Sequence, residues 1–137
     1  MIFLDTNVLS ETLRKSPAQA VIEWLTRYDA ELALPTMTIA EVAFGIQKIL
    51  PDQRALRLAQ GLSDWRRRFA DRIFGLTEEA ALAYGDIMGA ASRQGKAMSA
   101  PDGMIAAIVQ TNRGRLATRN LDDFRTTGLE LISPWDF

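Results

Sequence analysis

Asp5, Glu41 and Asp102 are the residues best placed for chemistry, because this 137-residue chain contains neither histidine nor cysteine. Any acid–base catalysis or metal ligation must therefore fall to oxygen groups. Thiol nucleophiles, imidazole bases and thiolate or imidazole zinc sites are excluded. What remains is hard carboxylate chemistry, which suits Mg²⁺ or Mn²⁺. Each of the three acids falls at a predicted strand end or in the first turn of a predicted helix.

The elements that must position them are legible as alternating patterns. Five short apolar runs, Ile2–Leu4, Leu32–Leu34, Ile73-Phe74, Leu116-Ala117 and Leu129–Ile132, lack polar alternation and predict strands buried on both faces. Between them lie helical stripes. Val21, Trp24 and Leu25 mark a helix from Pro17 to about Arg27, and Ile39, Val42, Ala43, Ile46 and Leu50 mark the next. Leu58, Leu62, Trp65 and Phe69 form a third. A fourth follows Thr77 and stops near Gly95, and a last runs from about Ala100 to Asn112, with Gly114 as its stop signal. The expected architecture is an α/β fold, a three-layer α/β/α sandwich around a short parallel sheet, formed by residues 1–137 as a single domain.

In such a sheet a crossover helix runs antiparallel to the strands, so its first turn lies beside the sheet's carboxyl edge. Asp5 follows strand one, Glu41 opens the helix after strand two, Asp102 opens the helix before strand four, and Asn120 follows that strand. All four are expected on one edge, where open α/β sheets place their sites. Each acid also has a structural role open to it. Thr38-x-x-Glu41 and Ser99-x-x-Asp102 match the capping box, Glu41 lies opposite its helix's apolar stripe, and Asp5 could open a turn with Asn7 capping Val8–Leu13. Like charges about 4 Å apart repel by roughly 4 kcal/mol at an effective dielectric near 20. A rim of three carboxylates must spread them or neutralise them with a cation.

Net charge is −1, so nucleic acid would have to be met by local patches. Arg66-Arg67-Arg68 with Arg72 is the densest cluster, and Arg113, Arg115 and Arg119 form a second, placed near the acidic edge. Of these, Arg119 is the best placed to contact phosphate or a site carboxylate. Trp24, Trp65 and Trp135 could stack on bases, although helical phase assigns the first two to the core. Phe44 lies off its helix's stripe, available for a subunit contact or for burial. No apolar run spans a bilayer, the opening Met1–Asp5 lacks a basic n-region, and absent cysteines suit a reducing interior, so cytoplasm is the expected compartment.

Ile2-Phe3-Leu4-Asp5-Thr6-Asn7-Val8-Leu9 resembles the opening of PIN-domain ribonucleases. So do Thr38-Ile39-Ala40-Glu41-Val42, Pro101–Ala107, Ala117–Phe124 and the closing Gly128–Trp135. Five segments in order cover essentially the whole chain, and within the family it looks most like VapC-type toxins of bacterial toxin–antitoxin pairs, on their FitB-like branch. The resemblance implies that Asp5, Glu41 and Asp102 hold Mg²⁺ or Mn²⁺. The family's fourth position, often Asp, is Asn120 here, an amide that brings no charge; Asp123 is one turn away as a compensating acid or a structural turn. Thr6 and Thr118 are small hydroxyls able to orient water or to serve as turn residues. The implied activity is metal-assisted hydrolysis of RNA phosphodiesters, with Glu41 as ligand or base. The implied partners are RNA, an antitoxin protein and a second copy in a homodimer.

Two other classes are compatible with parts of the pattern. A non-catalytic PIN-like interaction module would use its acids only as caps and would bind no Mg²⁺ or Mn²⁺ at a specific site. A nuclease acting on DNA would hold phosphate in the same way. Aspartyl-phosphate chemistry fits less well, because the haloacid-dehalogenase-like pattern expects an acid at position 7, which is Asn.

Overall fold

Ile2, Leu4, Leu32 and Leu34 pack on one face of a sheet, and Phe3, Ala33 and Leu116 on the other, the period-two alternation of strands buried on both sides. The computed structural model describes all 137 residues. The strands are β1 (Ile2–Leu4), β2 (Leu32–Pro35), β3 (Ile73–Phe74), β4 (Arg115–Ala117) and β5 (Leu131–Ile132). All neighbouring pairs are parallel, in the order β3-β2-β1-β4-β5.

Helices α1 (Thr6–Thr12), α2 (Gln19–Arg27), α3 (Thr36–Lys48) and α4 (Arg54–Arg68) supply Val8, Leu9, Val21, Trp24, Val42, Ile46 and Leu62 to the first face. Helices α5 (Glu78–Arg93) and α6 (Ala100–Thr111) cover the second with Ala83, Ile87, Ile105 and Ile108. The three-layer sandwich is therefore as expected, with four helices on one side and two on the other.

Several boundaries differ from the sequence reading. Helix α2 begins at Gln19, not Pro17. Helix α3 ends at Lys48, which leaves Leu50 outside its stripe and exposed. Helix α6 ends at Thr111, and the left-handed position after it is Arg113, with φ 54°, not Gly114. Gly114 has a packing role, because a Cβ there would stand 2.7 Å from the Phe3 ring. Strand β5 is only Leu131–Ile132, although Leu116 donates its N–H to the Glu130 carbonyl just before it.

The strand order reverses around β1. The chain leaves it toward β2 and β3, then crosses to β4 on its other side. The carboxyl ends of β1 and β4 therefore flank the switch point where open α/β sheets form a crevice. Asp5 follows one of these ends and Thr118 the other, and Asp5 donates its N–H to the Ala117 carbonyl at 2.9 Å.

Candidate active site

Asp5 is the N-cap of α1, a role the sequence reading gave to Asn7. Its φ and ψ are extended, and Thr6 donates its backbone N–H to Asp5 Oδ1 at 2.8 Å. Oδ2 accepts from the Thr118 hydroxyl at 2.7 Å and from the Asn7 amide at 3.2 Å. The carboxyl is almost wholly buried. That burial raises its pKa above the ordinary carboxylate value, outweighing the hydrogen bonds from Thr118, Thr6 and Asn7, and the nearby Glu41 charge pushes the same way.

Glu41 lies in the second turn of α3, not the first. Strand β2 runs into the helix with no loop, so Pro35 is the N-cap and Thr36 the first helical residue. The capping box beginning at Thr38 is consequently not formed. Thr38 is fully buried and donates its hydroxyl to the Leu4 carbonyl at 2.8 Å, tying α3 to β1. Glu41 is not on a solvated face either: it is half-buried, and its Oε1 accepts from the Thr6 hydroxyl at 2.5 Å.

Asp102 does lie in the first turn of its helix. Ser99, the N-cap of α6, accepts the Asp102 N–H at 3.2 Å, so half of this capping box exists. The Asp102 carboxyl is pushed up to about 6, first by burial and then by the charge of Asp5; Ser99 opposes the shift, and Asp123 and Glu41 add to it. The residue that follows, Gly103, lets α6 approach α5. A Cβ there would come 2.5 Å from Met88 Sδ and 2.9 Å from the Tyr84 ring.

Asp5, Glu41, Asp102 and Asp123 thus share one electrostatic environment at the carboxyl edge. None is ion-paired, whereas Glu11, Asp29, Glu31 and Asp52 each have an arginine partner elsewhere. As the side chains stand, no three carboxylates converge into a ready-made cage. The match to Mg²⁺ or Mn²⁺ lies in donor chemistry and charge: hard oxygens, half-buried or buried, with no basic side chain paired to any of them.

The fourth position is a rim residue. Asn120 is exposed; its N–H donates to Thr118 Oγ1 at 3.0 Å, its carbonyl accepts from Asp123, and its side chain has no hydrogen-bond partner. Thr118, fully buried, joins Asp5 to this loop. Asn7, read from sequence only as a cap, is a cross-link: its amide reaches Asp5, and its Oδ1 accepts the Arg119 N–H at 3.1 Å. The adjacency of Asp5, Thr6 and Asn7 was the available signal, but its target is 112 positions away in the chain.

The basic residues divide differently from the sequence reading. Arg115 opens β4, pairs with Glu31 and Glu130, and stands at the amino edge, as does Arg113. Only Arg119 of that trio is on the acidic edge. In the other cluster, Arg67 pairs with Asp64 and Arg68 with Asp29, and Arg72 lies 4.2 Å from the Phe69 ring centroid while donating to the Asp29 and Leu32 carbonyls. These contacts brace the amino edge. Trp24 is buried, and Trp65 stacks on Phe69 and donates to Thr12 Oγ1 at 3.0 Å. Phe44 is 66% exposed, so burial within the chain is excluded. A cleft of ≈ 980 Å³ opens beside Glu41, floored by Leu13, Val42 and Ile46 and rimmed by Arg14, Arg54 and Arg57. No helix is long and apolar enough to cross a membrane.

The PIN-domain family matches residues 2–129. The chain is 33% identical over 138 aligned positions to VapC ribonuclease Y4jK of Sinorhizobium fredii, covering 99% of each. It is 34% identical to Toxin FitB of Neisseria gonorrhoeae, covering 98% of this chain and 99% of that one. The crystal structure of FitAcB from Neisseria gonorrhoeae superposes with a TM-score of 0.91 at 33% identity over the whole of both chains. With an acidic crevice at its switch point and relatives of equal length, the chain belongs to the PIN-domain family, among the VapC-type proteins of the FitB-like branch.

Proposed function

We propose that this protein is a divalent-metal-dependent endoribonuclease, the toxin of a toxin–antitoxin pair. The observation that carries the reading is the group of unpaired carboxylates around Asp5 at the switch point, with Asp5 and Asp102 pushed upward by burial and by neighbouring negative charge. Capping accounts for the Asp5 contact with the Thr6 N–H, but Glu41, in the second turn of α3, caps nothing. The ribonuclease named Y4jK and the toxin named FitB support the substrate class and the biological role.

Asp5 and Asp102 are the principal ligands in this reading, with Glu41 as a third ligand or as the base that orients water. Bound there, Mg²⁺ or Mn²⁺ supplies Lewis-acid stabilisation of phosphate charge and makes water nucleophilic near neutral pH. The chain's own residues do the rest. Thr118 and Asn7 fix the orientation of the Asp5 carboxyl, and Thr6 holds one Glu41 oxygen. Asn120 adds an uncharged amide at the rim. Arg119 offers positive charge to the phosphate backbone. An antitoxin protein and a second copy of the chain are the proposed partners, and the exposed Phe44 is available to either.

Mapping of cleavage sites on total RNA with Mg²⁺, comparing wild type with Asp5→Asn, tests the reading. A defined set of cuts should appear with wild type and vanish both in the variant and in chelator. Equal cutting by the purified variant would remove Asp5 from the mechanism. Cutting of DNA with RNA left intact would reassign the substrate. Absence of site-specific Mg²⁺ or Mn²⁺ binding would favour a non-catalytic module.

A further inference from the structure

Arg119 is exposed and has no carboxylate partner, yet it is not loose. Its backbone N–H is fixed by Asn7, which also holds Asp5, so a single residue links its main chain to the acidic pocket. Its guanidinium lies over the Trp135 ring, with Cζ 5.1 Å from the centroid. Trp135 sits in the turn Pro134–Asp136 after β5, half-buried against the core cluster that contains Ile2, Leu4 and Trp24. The indole is thus a rigid support for a cation that would otherwise sample many rotamers.

An acidic pocket repels the phosphates of its own substrate, so a cation at its rim matters most if it is already in place. An arginine side chain carries about 2 kcal/mol of rotamer entropy, and its planar group stacks well on aromatic faces. Stacking leaves the guanidinium edge, with its N–H donors, free to meet phosphate.

We propose that Trp135 is a positioning residue for RNA: it holds the Arg119 guanidinium at the rim of the acidic pocket, where it contacts a backbone phosphate beside the one being cleaved. The inference rests on the ribonuclease reading for its substrate. It assigns the C-terminal turn, which holds no carboxylate ligand, to the binding surface. The occupant is single-stranded RNA, the substrate class taken from the ribonuclease reading.

The test is a double-mutant cycle on the full chain, read in two ways. Affinity for a short, mixed-sequence, fluorescein-labelled single-stranded RNA is measured by anisotropy in chelator at low salt; KM and kcat are measured separately with Mg²⁺. Trp135→Leu should weaken binding about five-fold, raise KM and leave kcat unchanged, and Trp135→Phe should restore most of the loss. Arg119→Ala should weaken binding about ten-fold, and adding Trp135→Leu to it should cause no further loss. Because Trp135→Leu removes core contacts, Arg119→Lys provides a second route: it keeps the charge, loses the guanidinium over the indole and should fall between wild type and Arg119→Ala. Additive losses in the double variant, or wild-type affinity in Arg119→Lys, overturn the proposal. So does a loss confined to antitoxin binding with RNA affinity intact. Weakened RNA binding in a protein that never cleaves RNA would fault the ribonuclease reading and leave the Trp135 assignment standing.

Discussion

The Thr118 hydroxyl donates a 2.7 Å hydrogen bond to Asp5 Oδ2 across 113 positions of sequence. This bond joins the ends of β1 and β4, the two strands between which the sheet order reverses. It fixes the orientation of a buried carboxyl and favours its charged form against the opposing effect of burial, and it also anchors the loop that carries Arg119 and Asn120.

Thr118→Val keeps the shape of that side chain and deletes both its donor and its acceptor. Asp5 would lose its shortest contact, and the Asn120 N–H would lose its partner. Stability should fall by ~1–3 kcal/mol, and cleavage should drop by about ten-fold or more. Thr118→Ser should recover most of both. Thermal melts and initial rates check this; equal activity in all three proteins would mean that the bond does not position Asp5.

Asp102 makes the metal-free protein more stable in acid. Its folded pKa of about 6 lies above the ordinary 3.8, so the folded chain binds the proton more tightly than the unfolded chain. Stability from this group is therefore complete below the lower value and declines as pH rises through the higher one. Asp102→Asn removes the decline. At pH 7 in chelator it should raise the melting midpoint by a few degrees, ~1 kcal/mol after solvent screening of a half-exposed group, while abolishing cleavage. Mn²⁺ added to wild type near pH 6 should release protons, and the variant should release fewer. Melting curves of the two proteins that stay parallel from pH 4 to 7 would contradict the coupling.

Gly103 separates α6 from α5 directly behind Asp102. Gly103→Ala pushes a methyl into Met88 and Tyr84. The far end of Met88 is flexible, but the Tyr84 ring is less free to move. A loss of ~1–3 kcal/mol is expected, with a fall in activity because the helix that carries Asp102 must shift. Chemical denaturation gives the first and rates at low temperature, where the variant remains folded, give the second. Unchanged stability would show that α5 yields without strain.

Much of this protein was determined locally. Short apolar runs without polar alternation dictated strands buried on both faces, and the 3.6-residue stripes of Val42/Ile46 and Leu58/Leu62 dictated the helices that cover them. Connectivity alone placed Asp5, Asp102 and Asn120 at one sheet edge, because a parallel sheet puts every strand end on the same side. The order of Asp5, Glu41, Asp102 and Asn120 with their neighbours was sufficient to identify the family.

Pairing across the sheet could not be read that way. Whether Glu41 faces water or the pocket depended on β2 entering α3 without a loop, which moved it to the second turn and beside Thr6. Whether Arg115 served the site depended on which end of β4 it occupied, and it occupies the amino end, with Glu31 and Glu130. Asn7, Thr118, Arg119 and Trp135 have local sequences compatible with ordinary turns. They become a network only because the strand order brings chain segments more than a hundred residues apart within hydrogen-bonding distance. Periodicity reports which face of an element is apolar; it carries no information about which polar groups from distant segments will meet, and that meeting sets the charge and orientation of the carboxylates.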